Sequence, residues 1–442
     1  MKDKALFLGK KFLRQELVKG SIYIFIGTTI ANIFNFLFNL FMSRNLRVED
    51  YGILTSLISL IGLVVTPVGA IIPTVVNFAG SRFAKEEYEQ VRIFFLKIIK
   101  PLILVGFILL FCFIVFTKTI GDFLHIKDQS LIVITGLIVF LGYIGIVNSG
   151  LLQAKLAFKF ISFSNLVSSL FKLIVGVSLV FLGFKLKAVM WVIFISSAIP
   201  FVISFIPLKF LFNSQRHIAN KTHFKDLFSY GIPSSLAALS LTSLISMDIL
   251  LVKHFYDPLQ AGIYAGLSLV GRVIFFFTAP IGTVMFPLVV QRRERRENYN
   301  NIFKLAIILV FIPSVLISIF YSLYPDFAIG FFIKNKVYLS SASLLGIFGV
   351  FITMYSLSSL FTYYFLSINK TKVYIPVVLC AIVQAVLITL YHDSLFEVVI
   401  ISLIVSAGLL IVLLFYYIKT ISSADKFGLN MRGIKFNFFS KN

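Results

Sequence analysis

The segments "TPVGAIIPTVVN" (Thr66–Asn77) and "APIGTVMFPLVVQ" (Ala279–Gln291) lie inside long apolar runs, yet each carries two prolines and a glycine. A proline in a helix interior removes a backbone hydrogen bond and costs about 3 kcal/mol or more. Within a bilayer the freed carbonyls can be met by neighbouring helices or by cavity water, so a membrane span tolerates such breaks. Pro67 and Gly69 align with Pro280 and Gly282 at an offset of 213, and Pro73 aligns with Pro287 after one inserted residue. Upstream, "EDYGILTSLISL" (Glu49–Leu60) aligns with "LQAGIYAGLSLV" (Leu259–Val270) at an offset of 210, each with a glycine, an isoleucine and a leucine-rich run. Downstream, each copy enters a basic loop, holding Arg82 or Arg296. Matches in this order imply two copies of one unit. Between the leading glycine and the first proline the second copy is three residues longer, and Arg272 lies in that longer segment.

The 442 residues are 59% hydrophobic and 13% charged, with a mean hydropathy of +0.98. Soluble domains are about 45–50% apolar and about 25% charged, so the chain reads as a polytopic membrane protein. A spanning helix needs roughly 20 apolar residues. Twelve runs qualify, near 21–42, 52–79, 101–117, 130–150, 161–182, 188–210, 230–252, 262–290, 303–323, 340–366, 373–390 and 396–418. The expected fold is all-α, with about twelve transmembrane helices in two pseudo-symmetric six-helix lobes around a central cavity. The divisions are a first lobe over 1–212, a cytoplasmic linker over 213–229, a second lobe over 230–420 and a basic cytoplasmic tail over 421–442. Six spans per unit put both copies in one orientation, related by an axis along the membrane normal. Repeats of this kind place a substrate site at their interface near the midplane.

The net charge of +22 would suggest nucleic acid in a soluble protein. No aromatic-basic recognition module accompanies it here. The charges instead mark cytoplasmic loops and anionic lipid head groups, so membrane lipids are expected partners and nucleic acid is not. About 29 Lys and Arg fall in the termini and the loops on their side, against about 9 in the other loops. This bias places both termini in the cytoplasm, and the run "QRRERREN" (Gln291–Asn298) fixes its own loop there. The first apolar run, from Ser21, is too long for a signal peptide core and no Ala-x-Ala site follows it. Cys112 and Cys380 sit far apart in apolar runs and give neither a disulfide framework nor a metal spacing, and the five histidines are scattered. No cofactor and no metal are expected. The sequons at Asn220 and Asn369 fall in loops on the inner side and read as accidental. Outward loops are short, the longest near Tyr324 to Tyr338. There is no room for an external polymerase site or for a cytoplasmic nucleotide-sugar domain, so no enzyme activity is expected.

The start of the chain carries a sharper pattern. "KGSIYIFIGTTIANIFNFLFNLFMSRNLRVEDYGILTSLISL" (Lys19–Leu60) has Gly-Ser before the first span, Arg44 at its outer end, and Tyr51-Gly52 opening the second span. This resembles the polysaccharide transporters, or lipid-linked oligosaccharide flippases, of the multidrug/oligosaccharidyl-lipid/polysaccharide exporter superfamily. The family usually has Leu-Gly after the arginine, whereas here Leu46 is followed by Arg47. The resemblance implies two lobes, alternating access across a plasma membrane, and a role for Arg44 among the substrate-binding residues.

Charges inside the spans bear on the substrate. An Arg or Lys at the bilayer centre costs about 2.5–3.5 kcal/mol on insertion scales. Arg272 lies deep in the eighth span and Lys172 deep in the fifth. Each could line a cavity or snorkel to the surface, and Arg272 could pair with Asp248, the one carboxylate clearly inside a span. Lys172 extends a polar stripe of Asn165, Ser168 and Ser169; the first span has another, Thr28, Asn32, Asn35 and Asn39; the tenth has Ser356, Ser359 and Tyr363. Interhelical hydrogen bonds, worth about 0.6 kcal/mol each, are the competing reading of these stripes. A cation-drug exporter would be expected to line its cavity with carboxylates. A cationic, asparagine-lined cavity suits an anionic diphosphate bearing hydroxyl-rich sugars.

The expected substrate is therefore a polyprenyl-diphosphate-linked oligosaccharide, with Arg272 and Lys172 on the diphosphate and Asn32, Asn35, Asn39 and Asn165 along the sugar path. Asp248 is the candidate for coupling to a proton or sodium ion. Pro67, Pro73, Pro280 and Pro287 are the expected bending points of two matched helices flanking the cleft. Glycosyltransferases or a polymerase of the same pathway are candidate partners. Export of drugs or other small molecules, and a non-transporting role in glycan assembly, are the alternatives.

Overall fold

The structure, a computed structural model, describes residues 26–83, 85–212, 225–294 and 297–426. Among them there are helices and no strands. In chain order the α-helices are α1 (Ile26–Asn45), α2 (Val48–Val65), α3 (Ile72–Phe83), α4 (Tyr88–Val115), α5 (Thr117–Phe123), α6 (Ser130–Ala154), α7 (Phe158–Phe181) and α8 (Leu186–Ser204). They continue as α9 (Lys225–Leu244), α10 (Met247–Phe255), α11 (Pro258–Gly271), α12 (Val273–Glu294), α13 (Asn300–Leu323), α14 (Pro325–Phe332), α15 (Leu345–Ser367), α16 (Tyr374–Leu390) and α17 (Leu395–Lys426). Among the described residues eleven helices are long and apolar enough to cross a membrane, and the bent pair α9–α10, taken as one span, makes twelve. All twelve sequence-predicted runs overlap these spans, but the eighth, expected over 262–290, is divided between α11 and α12 with its spanning helix beginning at Val273, and residues 21–25 of the first lie outside the described residues. Most of the linker expected over 213–229 lies outside the described residues. Where a tail was expected from 421, α17 continues to Lys426; the rest lies outside the described residues.

Packing repeats as the sequence does. In the first half α6 packs on α3, α4 and α8, and α7 packs on α8; in the second α15 packs on α12, α13 and α17, and α16 packs on α17. These are the same pairings between equivalent spans. Among those eleven spans the fourth of each half is the most enclosed of its half, with 44% of an 18-residue stretch of Ser130–Ala154 and 78% of one in Lys336–Ser367 buried. Each half is therefore organised around its fourth helix.

The halves meet where α2 crosses α11. Gly52 and Gly262, equivalent at the offset of 210, lie directly on each other there. A Cβ at Gly52 would stand 3.0 Å from the Gly262 Cα, and one at Gly262 would overlap the Val48 carbonyl. Two residues equivalent in an internal repeat can touch in this way when they flank its pseudo-two-fold axis. Without a hydrophobic drive between helices in lipid, small residues that let backbones approach supply the association.

Besides the 3-10 turns that open the tenth and eleventh spans, three spans are interrupted along their length among the described residues. In the second, Thr66–Ile71 forms a 3-10 segment with Pro67 near its start. Pro67 has no N–H for the Leu63 carbonyl one turn back, and the adjacent Val64 carbonyl, at the change to 3-10 register, accepts from the Tyr143 hydroxyl at 3.1 Å. Pro73 falls in the first turn of α3, where proline is tolerated. The seventh span bends by 46° between α9 and α10. The eighth breaks between Gly271 and Val273, at Arg272. Pro280 and Pro287 lie within α12 and the helix continues through both. A 3-10 segment accompanies the proline of the second span, while the two prolines of the eighth lie in unbroken α-helix.

Gly262→Ala should destabilise the protein by about 1–3 kcal/mol, because a methyl group there displaces backbone. Gly408→Ala, with nothing within 4 Å of its Cβ position, should leave the melting temperature unchanged or raised. Thermal unfolding of the two variants in detergent compares them directly.

Candidate functional site

The bend in the seventh span carries no proline at its centre; Ile245 and Ser246 separate its two helices. A break within hydrocarbon leaves carbonyls without helix partners. The Leu244 carbonyl accepts from Gln384 Nε2 at 3.1 Å, and the Ile245 carbonyl accepts from Arg272 Nη2. Arg272 can reach this point because it occupies the break in the eighth span, where the Val270 carbonyl is met by the Tyr321 hydroxyl at 2.8 Å. One interruption thus supplies the donor for another.

The same Arg272 nitrogen lies 3.2 Å from Asp248 Oδ1, and the Tyr264 hydroxyl donates to Asp248 Oδ2 at 2.8 Å. Asp248 is fully buried, in the first turn of α10, where a carboxylate also complements the helix N-terminus. The ion pair weighed for Arg272 in the sequence is therefore formed, and it ties the hinge of the seventh span to the break in the eighth. The Arg272 side chain keeps 15% of its surface exposed. Its remaining exposure is all it has for a ligand in this conformation.

Lys172 is differently placed. Its ammonium stands 5.0 Å from the centre of the Phe38 ring on α1, a contact worth up to about 2 kcal/mol where water is excluded. Among the described residues it has no carboxylate partner. α1 and α7 approach closely here: Gly176 gives room for the edge of Phe38, as Gly27 does for Ser162. On α1 the opposite flank carries Phe36, which packs edge-on against Phe276 and Phe332 of the second half, at 5.9 and 5.8 Å. At 3.6 residues per turn, Asn32, Asn35 and Asn39 fall between these flanks, on the side of α1 that looks along the seam between the halves. Asn39 donates to the Asn35 carbonyl at 2.8 Å. The side chains of Asn32, Asn35 and Asn165 are half-buried and make no hydrogen bond among the described residues.

Other expected stripe members are used in packing. Ser168 donates to the Ser196 carbonyl at 2.6 Å, Ser169 to the Leu166 carbonyl at 3.1 Å, and Ser356 meets Thr278 at 3.3 Å. Arg44 is also committed: its Nε and Nη2 donate to the carbonyls of Phe332 at 2.6 Å and Phe331 at 2.9 Å. In this conformation a helix end takes up these two nitrogens, and Nη1 donates to neither carbonyl. Phe38, Tyr264, Gln384 and the buried Lys253 were not singled out in the sequence. Gln384 was the most legible of them, as an amide inside an otherwise apolar span.

The sequence pattern of the family described as "Polysaccharide biosynthesis protein" matches residues 17–292. An uncharacterized membrane protein, MJ1375, of Methanocaldococcus jannaschii is 25% identical over 293 residues, which are 63% of this chain and 69% of that protein. Among solved structures, the inward-facing conformation of a multidrug resistance MATE family transporter of the MOP superfamily gives a TM-score of 0.71 at 13% identity, over 90% of this chain and 96% of that one. A MOP superfamily transporter from Pyrococcus furiosus, described as having a binding pocket of reverse polarity that suggests a different function, gives 0.64 at 15% identity, over 93% and 96%. The fold is that of the MOP superfamily transporters.

Removing one partner of a buried ion pair costs roughly 3–5 kcal/mol. Asp248→Leu should therefore lower stability by that order, while Asp248→Leu with Arg272→Leu should cost clearly less than the two single changes combined. A double-mutant cycle on unfolding measures the coupling; additive losses would show that the pair is not formed.

Proposed function

Because the chain belongs to the polysaccharide biosynthesis protein family, we propose that it flips a polyprenyl-diphosphate-linked oligosaccharide across the plasma membrane for surface polysaccharide assembly. The observation that carries this reading is the Lys172 ammonium, held on an aromatic ring beside the asparagine stripe of α1, with no carboxylate to neutralise it. The one buried carboxylate among the described residues, Asp248, has its charge matched by Arg272. The seam is left with a net positive group from the first half. Such a group attracts diphosphate, and amide side chains exchange hydrogen bonds with sugar hydroxyls. A pocket of reversed polarity, the description attached to the Pyrococcus furiosus neighbour, is what a lysine in place of a carboxylate would produce here.

The halves rock about the Gly52–Gly262 crossing, exposing the seam to each side in turn. No bond is made or broken, so the protein works as a transporter and not as an enzyme. With the bias of basic residues facing the cytoplasm, both termini lie inside and the α1–α2 turn faces outward. The bends at Ile245–Ser246 and Arg272 lie where span 7 must move against span 8. A proton or sodium ion that engaged Asp248 would first have to release Arg272, and with it the Ile245 carbonyl, which links coupling to the hinge. Glycosyltransferases or a polymerase would act before and after this step.

Lys172→Ala should reduce surface polysaccharide by about tenfold or more in cells that depend on this protein, the loss expected for one charge-assisted contact. Lys172→Arg should retain more export than Lys172→Ala. Normal export at normal protein level would overturn the role of Lys172. Drug resistance on expression, with surface glycan unaffected, would favour small-molecule export instead.

A further inference from the structure

Arg44 and His254 occupy equivalent positions in the repeat. α1 ends at Asn45 and α10 at Phe255, while α2 begins at Val48 and α11 at Pro258, so the offset of 210 holds across both turns. Each residue reaches into the other half. Arg44, in the first half, donates to the Phe331 and Phe332 carbonyls at the end of α14. His254, in the second, lies with Nδ1 2.8 Å from the Phe123 carbonyl at the end of α5. A carbonyl oxygen can only accept, so His254 carries a proton on Nδ1. The acceptors correspond as well, since α5 and α14 are the short helices that follow the third span of each half.

The chemistry is the same on both sides. The last carbonyls of a helix have no partner within it, and a donor or cation placed there is favourable. α5 and α14 are each only about two turns long and end at the seam, so each offers unpaired carbonyls to the opposite half. The histidine side is reinforced. The Phe123 ring stacks on His254 at 4.0 Å, and His125 Nδ1 donates to the Lys253 carbonyl at 3.3 Å, again from one half to the other. On the arginine side, Phe332 also receives the edge of Phe36.

We propose that Arg44 and His254 are two symmetry-related latches that hold the halves shut at the α1–α2 face, and that both must release before the seam can open there. The inference rests on the rocking motion described above. It assigns these residues to control of the conformational equilibrium and not to the substrate. Two latches related by the repeat axis resist splaying on either side of the Gly52–Gly262 crossing, which one central contact could not do.

The test is the distance between spin labels at Gln129 and Lys336, exposed positions on the two halves at this face, with Cys112 and Cys380 replaced by alanine and the protein in lipid nanodiscs without substrate. The unaltered pair should give a predominantly short distance. Arg44→Ala and His254→Ala should each raise the long-distance population relative to the short one by roughly fivefold, the effect of one net hydrogen bond, and the double variant should raise it further. If the double variant does not fold, the single variants Arg44→Gln and His254→Gln carry the same test. A lowered melting temperature with an unchanged distance distribution would overturn the proposal and leave the contacts as structural staples. Since no substrate is present, an error in the assigned glycan would not alter this result, and normal export by Lys172→Ala would not bear on it.

Discussion

In hydrocarbon, a backbone carbonyl that loses its helix partner has no water to turn to, and each one left bare costs several kcal/mol. The architecture of this protein follows from how that cost is met. Its three interrupted spans each find a donor on a neighbour: Tyr143 for the second, Gln384 and Arg272 for the seventh, and Tyr321 for the eighth. These side chains do what turn water does in a soluble protein. They also fix which helices can be neighbours. The breaks are affordable only while the packing holds, so bending and lobe assembly are coupled.

The repeat supplies the frame, and its imperfections supply the chemistry. By the offset of 210, Asp248 corresponds to Phe38 and Arg272 to Gly62. The second half thus has a carboxylate and a cation that neutralise one another at its hinge. The first half has an aromatic ring at the corresponding position, and Lys172 rests on it. Phe38 can hold an ammonium without cancelling its charge, since the attraction comes from the ring quadrupole. The second half therefore uses Arg272 in an ion pair, while Lys172 of the first half rests on a ring that leaves its charge in place.

Much of the fold was legible from hydropathy and from the proline-glycine pairs, because span length and internal repetition are properties of the linear chain. The alignment paired Gly52 with Gly262 as equivalents, but that the two meet at the crossing is a result of packing alone. The site was less legible. The bend at Ile245–Ser246 lacks a proline, so no local residue announces it; it is made tolerable by Gln384 and Arg272, which come from elsewhere in the chain. Pro67 opens a 3-10 segment whereas Pro280 and Pro287 lie in a continuous helix, a difference between the copies that residue type alone does not show. That Arg44 holds the end of α14 was not legible either, because nothing local in the sequence shows that the two meet. Ion pairing of Arg272 with Asp248 was among the readings that residue type allowed, and only packing could select it.

The central claim is that the uncompensated cation of the first half serves the passage of a diphosphate-linked glycan between membrane leaflets. Proteoliposomes containing the purified protein and a radiolabelled polyprenyl-diphosphate oligosaccharide, probed with a membrane-impermeant glycosidase, address it most directly. The account predicts that the protein converts the protected inner-leaflet fraction of the glycan into a cleavable one, and that Lys172→Ala slows this conversion sharply. Protection equal to that in protein-free vesicles, or equal conversion by Lys172→Ala, would contradict it.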